Sequence, residues 1–310
     1  MKLDGLHHIT MITGDAQRNV DFYADLLGLR LVKTTVNFDA PEAYHLYFGD
    51  ETGSPGSILT WFEFAGAARG RAGDGMIHAL QLGVGAPASL EFWAGRLEAA
   101  GVRCERDDVI VRFADHDGLG LELVVGGAQN PPLRAVHPEV PAEHALIGPQ
   151  GARAYGRSPA SPAPLLTETL GFDALGEGGY RLAGAHRRFD WAYDDPPVQA
   201  GRQGAGTVHH IAWACPDADQ PEWQQRVRDA GAMVTDVRDR DYFTSIYFRE
   251  PRGILFEIAT LSPGFAVDED PDHLGEALKL PRMHEHLRPQ LERTLTPLVN
   301  PRARRRAMQA

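Results

Sequence analysis

A unit of strand, short turn, amphipathic helix, closing glycine and further strands recurs four times along the chain. An internal repeat constrains a fold more than any local propensity, because each copy must find a partner to bury its apolar face. In the first copy 8–13 reads as a strand and Gly14-Asp15 as a turn. A helix over 16–27 follows, with Val20, Tyr23, Leu26 and Leu27 on one face and Phe22 beside it. Gly28 stands where a helix is capped by left-handed backbone. Strands are expected over 29–37, 43–48 and 57–64. The second copy begins at 76–82, has a helix over 89–100 that stops at Gly101, and continues as strands near 102–105, 108–114 and 119–125. The third is degenerate. Gln150 stands where the other copies have His, and Pro159, Pro162 and Pro164 leave only about two helical turns before Gly171. The fourth opens at 208–213, has a helix over 221–230 ending at Gly231, and closes with strands near 232–236, 243–248 and 253–260.

The pattern predicts an α+β protein of four βαβββ modules. The Pro-rich stretch 127–143, with Gln129-Asn130-Pro131-Pro132, reads as a linker. The expected division is therefore 1–140 for one pair of modules, 141–265 for the other, and 266–310 for an extension with a short polar helix near 283–295.

The chain has 310 residues, 24% of them charged, and a net charge of -11. That acidity argues against nucleic acid or an anionic membrane as partner. No run approaches the ~20 apolar residues of a spanning helix. Only two cysteines occur, Cys104 and Cys215, which suits a reducing cytoplasm. The strand pattern begins within the first few residues, so no signal peptide is expected. Whether the chain forms a homo-oligomer stays open.

Chemistry concentrates in the first and fourth copies. Leu6-His7-His8-Ile9-Thr10 is echoed by Val208-His209-His210-Ile211-Ala212, and the second His of each lies seven residues before an Asp, Asp15 and Asp217. Glu257 sits in the apolar strand Leu255-Phe256-Glu257-Ile258-Ala259. A buried carboxylate needs a cation, hydrogen bonds or a proton. His8, His210 and Glu257 are thus expected to converge on one divalent metal. Two His and one carboxylate leave coordination positions open, as in non-heme iron(II) oxygenases. Glu257 follows Gly253 by four and Glu122 follows Gly118 by four, whereas four after Gly56 stands Thr60. A Thr does not complete a closed four-ligand set. His78 and Glu122, with Gln150 and Asp190 opposite, form a poor set read as a vestigial, metal-free second cavity. His45, His116, His137, His144, His186, His273, His284 and His286 are read as solvent-facing or capping.

Four such modules over roughly 4–262 resemble the vicinal oxygen chelate superfamily, which includes glyoxalases and extradiol dioxygenases; the resemblance implies that the four modules form two half-open, mixed-sheet barrels. The blocks 6–10, 208–212, 240–251 and 255–259, in that order, are most similar to iron(II) ring-cleaving dioxygenases that act on hydroquinones. The resemblance implies an iron(II) enzyme taking a small aromatic substrate and O₂, with manganese sharing the same ligand preference. It implies metal ligands His8, His210 and Glu257, and a substrate-contacting set of His7, Thr10, His209, Arg240 and Tyr247. His209 is the expected acid/base, because an imidazole titrates near working pH. Arg240 and Tyr247 would hold or polarise the substrate's oxygens. Strict strand alternation would turn His7 and His209 away from the site unless the strand begins or bulges there. Two alternatives remain: a glyoxalase-type metal-dependent isomerase or lyase, and a non-catalytic small-molecule-binding protein on the same scaffold.

Overall fold

A computed structural model describes residues 1–127, 130–158, 160–185 and 187–308. His186, Gln129 and Pro159 lie outside the described residues. Module one contains β1 (Leu6–Thr13), α1 (Ala16–Val20), β2 (Arg30–Val36), β3 (Tyr44–Gly49) and β4 (Ile58–Glu63). Module two contains β5 (Ile77–Val84), α2 (Pro87–Ala99), β6 (Cys104–Arg106), β7 (Ile110–Ala114) and β8 (Gly120–Val125). Module three contains β9 (Pro149–Tyr155), β10 (Asp173–Gly176), β11 (Gly179–Ala183) and β12 (Arg188–Asp194). Module four contains β13 (Val208–Cys215), α3 (Gln220–Asp229), β14 (Arg238–Asp239), β15 (Thr244–Arg249) and β16 (Leu255–Thr260).

The strands form two eight-stranded sheets. One runs β14-β15-β16-β13-β1-β4-β3-β2 and the other β10-β11-β12-β9-β5-β8-β7-β6. The sheets cut across the division expected at residue 140. Module one pairs with module four through antiparallel β1 and β13, and module two pairs with module three through β5 and β9. Modules two and three are sequence neighbours that join, and their sheet brings the chain back so that module four can meet module one. The outer face of each sheet feeds one core. Trp191 of β12 meets Trp213 and Phe256 edge-on, with ring centroids 6.2 and 5.5 Å apart, so aromatic packing binds the two sheets together.

The expected helix 16–27 is α-helical only to Val20 and continues as π-helical turns over Asp21–Leu26. Asp15 caps its start by accepting from the Arg18 amide, and Gly28 follows at φ 71°. Short π-helical turns over Leu165–Thr169 are what survives of the module-three helix. Past residue 264 the chain packs along β2, where Lys33 is enclosed with Asp268, at 2.5 Å, and Glu269. The outer helix expected near 283–295 is α4 (Arg288–Thr294), and α5 (Pro301–Ala307) follows it. Among the described residues no helix is long and apolar enough to cross a membrane.

Candidate metal centre

The two central strands of the first sheet bring their histidines together. Thr10 on β1 pairs with Thr60 on β4, and Ala212 on β13 pairs with Glu257 on β16. Since side chains alternate, His8 and Thr60 share a face in one half, and His210 and Glu257 in the other. His8 Nε2 and His210 Nε2 lie 3.3 Å apart, and Glu257 Oε2 stands 3.4 and 3.0 Å from them. All three residues are buried. Burial alone would push the Glu257 carboxyl up, but the His8 and His210 imidazoles hold it well below the usual carboxylate range. Its Oε1 is taken by the Ser245 hydroxyl, whereas Oε2 has no hydrogen-bond partner among the described residues. A buried anionic oxygen left bare between two ring nitrogens fits a cation.

The paired histidines orient the site. The register of β1 against β13 shifts between Leu6 and His8, and again at Thr10–Met11, where the partner residue jumps from His210 to Val208. These irregularities at His7 and His209 break the alternation that would otherwise send both side chains to the far face. His7 Nε2 donates to the Thr260 carbonyl over 3.1 Å. Burial, reinforced by His8, pulls His7 down to about 3, so the ring is neutral and its Nδ1 bare. That nitrogen accepts from His8 Nδ1–H at 2.8 Å, which turns His8 Nε2 toward Glu257 and His210. His209 repeats the arrangement with Nδ1 2.7 Å from His210 Nδ1. Partners of this kind set the tautomer of a ligating imidazole.

A cavity of about 280 Å³ opens over His8 and His210, with Glu257 buried beneath them. Arg240 and Tyr247 line it, with Arg240 Nε donating to the Tyr247 hydroxyl at 3.1 Å. Arg240 also reaches Asp39 at 3.3 Å across the mouth, so its acidic partner comes from module one; Asp239 and Asp241 go to Arg282. His209 lines the cavity and keeps an exposed face there. Enclosure by the protein, then His210, pulls it down to about 4; the exposed face tempers that pull. His7 and Thr10 do not line the cavity: His7 lies behind His8, and the Thr10 hydroxyl is fully buried with no hydrogen-bond partner among the described residues.

His45 corrects the solvent-facing reading. It is buried, lines the cavity, and bonds Thr60 Oγ1 at 2.5 Å and the Tyr47 hydroxyl at 2.9 Å. Alternation on β3 could have flagged it, because His45, Tyr47 and Gly49 share a face. The second pair is likewise not a pair. His78 bonds Asp194 at 2.7 Å and stacks on Tyr155, while Glu122 accepts from Gln81 at 2.9 Å.

A family model for the Glyoxalase/Bleomycin resistance protein/Dioxygenase superfamily matches residues 5–123 and 163–258. The chain belongs to this superfamily. Within it, the chain is 46% identical over 309 residues to the Bacillus subtilis (strain 168) protein named "Putative ring-cleaving dioxygenase MhqO", covering 96% of this chain and 97% of that one. It is 34% identical to the "Chlorohydroquinone/hydroquinone 1,2-dioxygenase" of Sphingobium indicum, covering 96% and 98%. A crystal structure of a Bacillus subtilis "putative dioxygenase" superposes with a TM-score of 0.89 at 44% identity, covering 96% of this chain and 98% of that one. Maize glyoxalase I, at 12% identity and a TM-score of 0.58, shares the vicinal oxygen chelate fold.

Proposed function

We propose that the chain is an iron(II)-dependent dioxygenase that opens the ring of a hydroquinone. The observation that carries this reading is the bare Glu257 Oε2 between His8 Nε2 and His210 Nε2, beneath an aromatic-sized cavity. His8 and His210 would hold the metal through Nε2 and Glu257 through Oε2, a set that suits iron(II) or manganese(II). When bound, the metal supplies Lewis acidity, a template and an electron path between the aromatic ring and O₂.

The chain's own groups do the rest. Ser245 and the paired histidines fix the ligands' orientation. With His210 Nε2 committed to the metal, its Nδ1–H donates to His209, which leaves His209 Nε2–H as a neutral donor toward the cavity. Arg240 brings the cavity a positive charge suited to a phenolate. The Tyr247 hydroxyl is kept protonated: burial, then the Glu257 charge, raises it above its ordinary value, and it can donate to a substrate oxygen. Phe62, Phe243 and Leu255 give the ring an apolar bed.

A catechol chelates a metal through two adjacent oxygens; a hydroquinone presents only one, so its far hydroxyl needs protein donors. Thr60 in the place of a fourth acidic ligand counts against a glyoxalase-type isomerase, and the intact ligand set counts against a purely binding role. The test is oxygen uptake by iron-replete protein with hydroquinone, methylhydroquinone, chlorohydroquinone and catechol, alongside metal analysis of anaerobically purified protein. The hydroquinones should be preferred. A catechol favoured tenfold in kcat/KM, about 1.4 kcal/mol, overturns the substrate, and turnover without oxygen uptake overturns the reaction class.

A further inference from the structure

The first sheet is doubled about its centre, and the doubling extends past the ligands. Tyr47 pairs with Thr60 on one side as Tyr247 pairs with Glu257 on the other. Two residues back along β3 and β15 stand His45 and Ser245. Ser245 holds Glu257, and His45 holds Thr60. The place of a fourth ligand is thus filled by a hydrogen-bonded chain, Thr60–His45–Tyr47.

That chain has a spare proton. Burial, then repulsion from His8, holds His45 well below its ordinary value, so it is neutral, with one N–H and one lone pair. One hydroxyl neighbour must donate to the ring and the other must accept from it. The accepting hydroxyl keeps its own O–H, and among the described residues neither hydroxyl has another side-chain partner. A buried O–H left without an acceptor costs about 1–3 kcal/mol. Tyr47 lines the cavity and Thr60 does not. The arrangement that spends the proton usefully has Thr60 donating to His45 Nε2, His45 Nδ1–H donating to the Tyr47 oxygen, and Tyr47 O–H facing the cavity.

We propose that Tyr47, held by His45 and Thr60, donates a hydrogen bond to the second hydroxyl of a para-diol and makes module one a specificity-determining wall. This rests on the hydroquinone reading above. Tyr47 contacts the substrate; His45 and Thr60 are positioning residues. Tyr47, His45 and Thr60 are uncharged, and the acid that module one adds to the cavity, Asp39, stands at the mouth against Arg240, so this part of the wall selects for an oxygen at that place on the ring rather than for charge.

Calorimetry on zinc-loaded protein, which binds without turning over, separates the roles. The probes are hydroquinone and 4-methylphenol, which replaces the second hydroxyl by a methyl group. Wild type should prefer hydroquinone. Tyr47→Phe should weaken hydroquinone about tenfold, the loss of one hydrogen bond, and leave 4-methylphenol within about twofold. Thr60→Val and His45→Ala should give smaller falls in the same ratio. Nitrogen NMR of wild type should show His45 protonated on Nδ1. Equal losses for both probes in Tyr47→Phe, no loss for either, or a wild type that binds both equally each overturn the inference and leave the metal site standing. A wild type that binds neither probe overturns the substrate reading, and this inference with it.

Discussion

The two sheets share one register and differ at the positions that matter. In the first, Thr10 faces Thr60 and Ala212 faces Glu257; in the second, Gln81 faces Glu122 and Arg153 faces Ala192. Counting two residues back from the central strand places Ala79 and Gly151 where the first sheet has His8 and His210. Three of the four converging positions in the second sheet are therefore Ala, Gly and Ala, and the fourth, Glu122, is tied to Gln81. Gly151 has no room for a ligand side chain. A Cβ there would lie 2.5 Å from Gln81 Oε1 and 2.7 Å from the Asp190 carbonyl, so a His could return only if the neighbours moved. Its cavity is lined instead by polar groups that satisfy one another, such as Arg181 with Asp190 and Asn130 with Gln150. A duplicated scaffold can keep its pairing, which the core demands, while its two copies carry different side chains at the converging positions.

The sharpest way to break this contrast is Glu257→Ala. Metal content and turnover should both disappear, because two imidazoles alone hold iron(II) weakly; full occupancy measured by atomic absorption would sink the assignment. Next comes His209→Ala, which should retain metal and lower kcat by about 10²–10³, the usual loss for one donor aimed at developing charge. Metal loss in that variant would make His209 the ligand and His210 its orienter. Ser245→Ala should weaken metal affinity by about 10–100-fold, read by competition with a chelator, because the Glu257 carboxylate loses its orienting partner. Unchanged affinity would mean that the strand alone holds Glu257 in place. The smallest effect on the chemistry belongs to the second sheet: Glu122→Ala should leave metal content and kcat/KM within about twofold, and lower stability by about 1–2 kcal/mol because the half-buried Gln81 amide loses its acceptor. A folded but inactive Glu122→Ala protein would move the chemistry to the second cavity.

Local sequence carried the modules. Helix stops at Gly28, Gly101 and Gly231 are legible because left-handed backbone selects glycine, and all adopt positive φ. The His–Asp spacing is legible too, although its Asp residues turn out to be fold punctuation: Asp15 caps α1, and Asp217 accepts from the Leu261 amide. The converging set His8, His210 and Glu257 could be singled out because an acid in an apolar strand has few physical excuses. Three things required the tertiary structure. Which module pairs with which is a choice among equivalent strand edges, settled by long-range packing such as Trp191 against Trp213, and no residue encodes it alone. The register shifts at His7 and His209 decide whether those rings orient the ligands or turn away, and a shift exists only once two strands are in register. His45 looked like any surface histidine because its partners lie 15 residues away on β4 and two residues away on the same face of β3. Burial belongs to the assembled sheet, so the sequence determined the modules and the candidate set His8, His210 and Glu257, and only the fold decided what surrounds them.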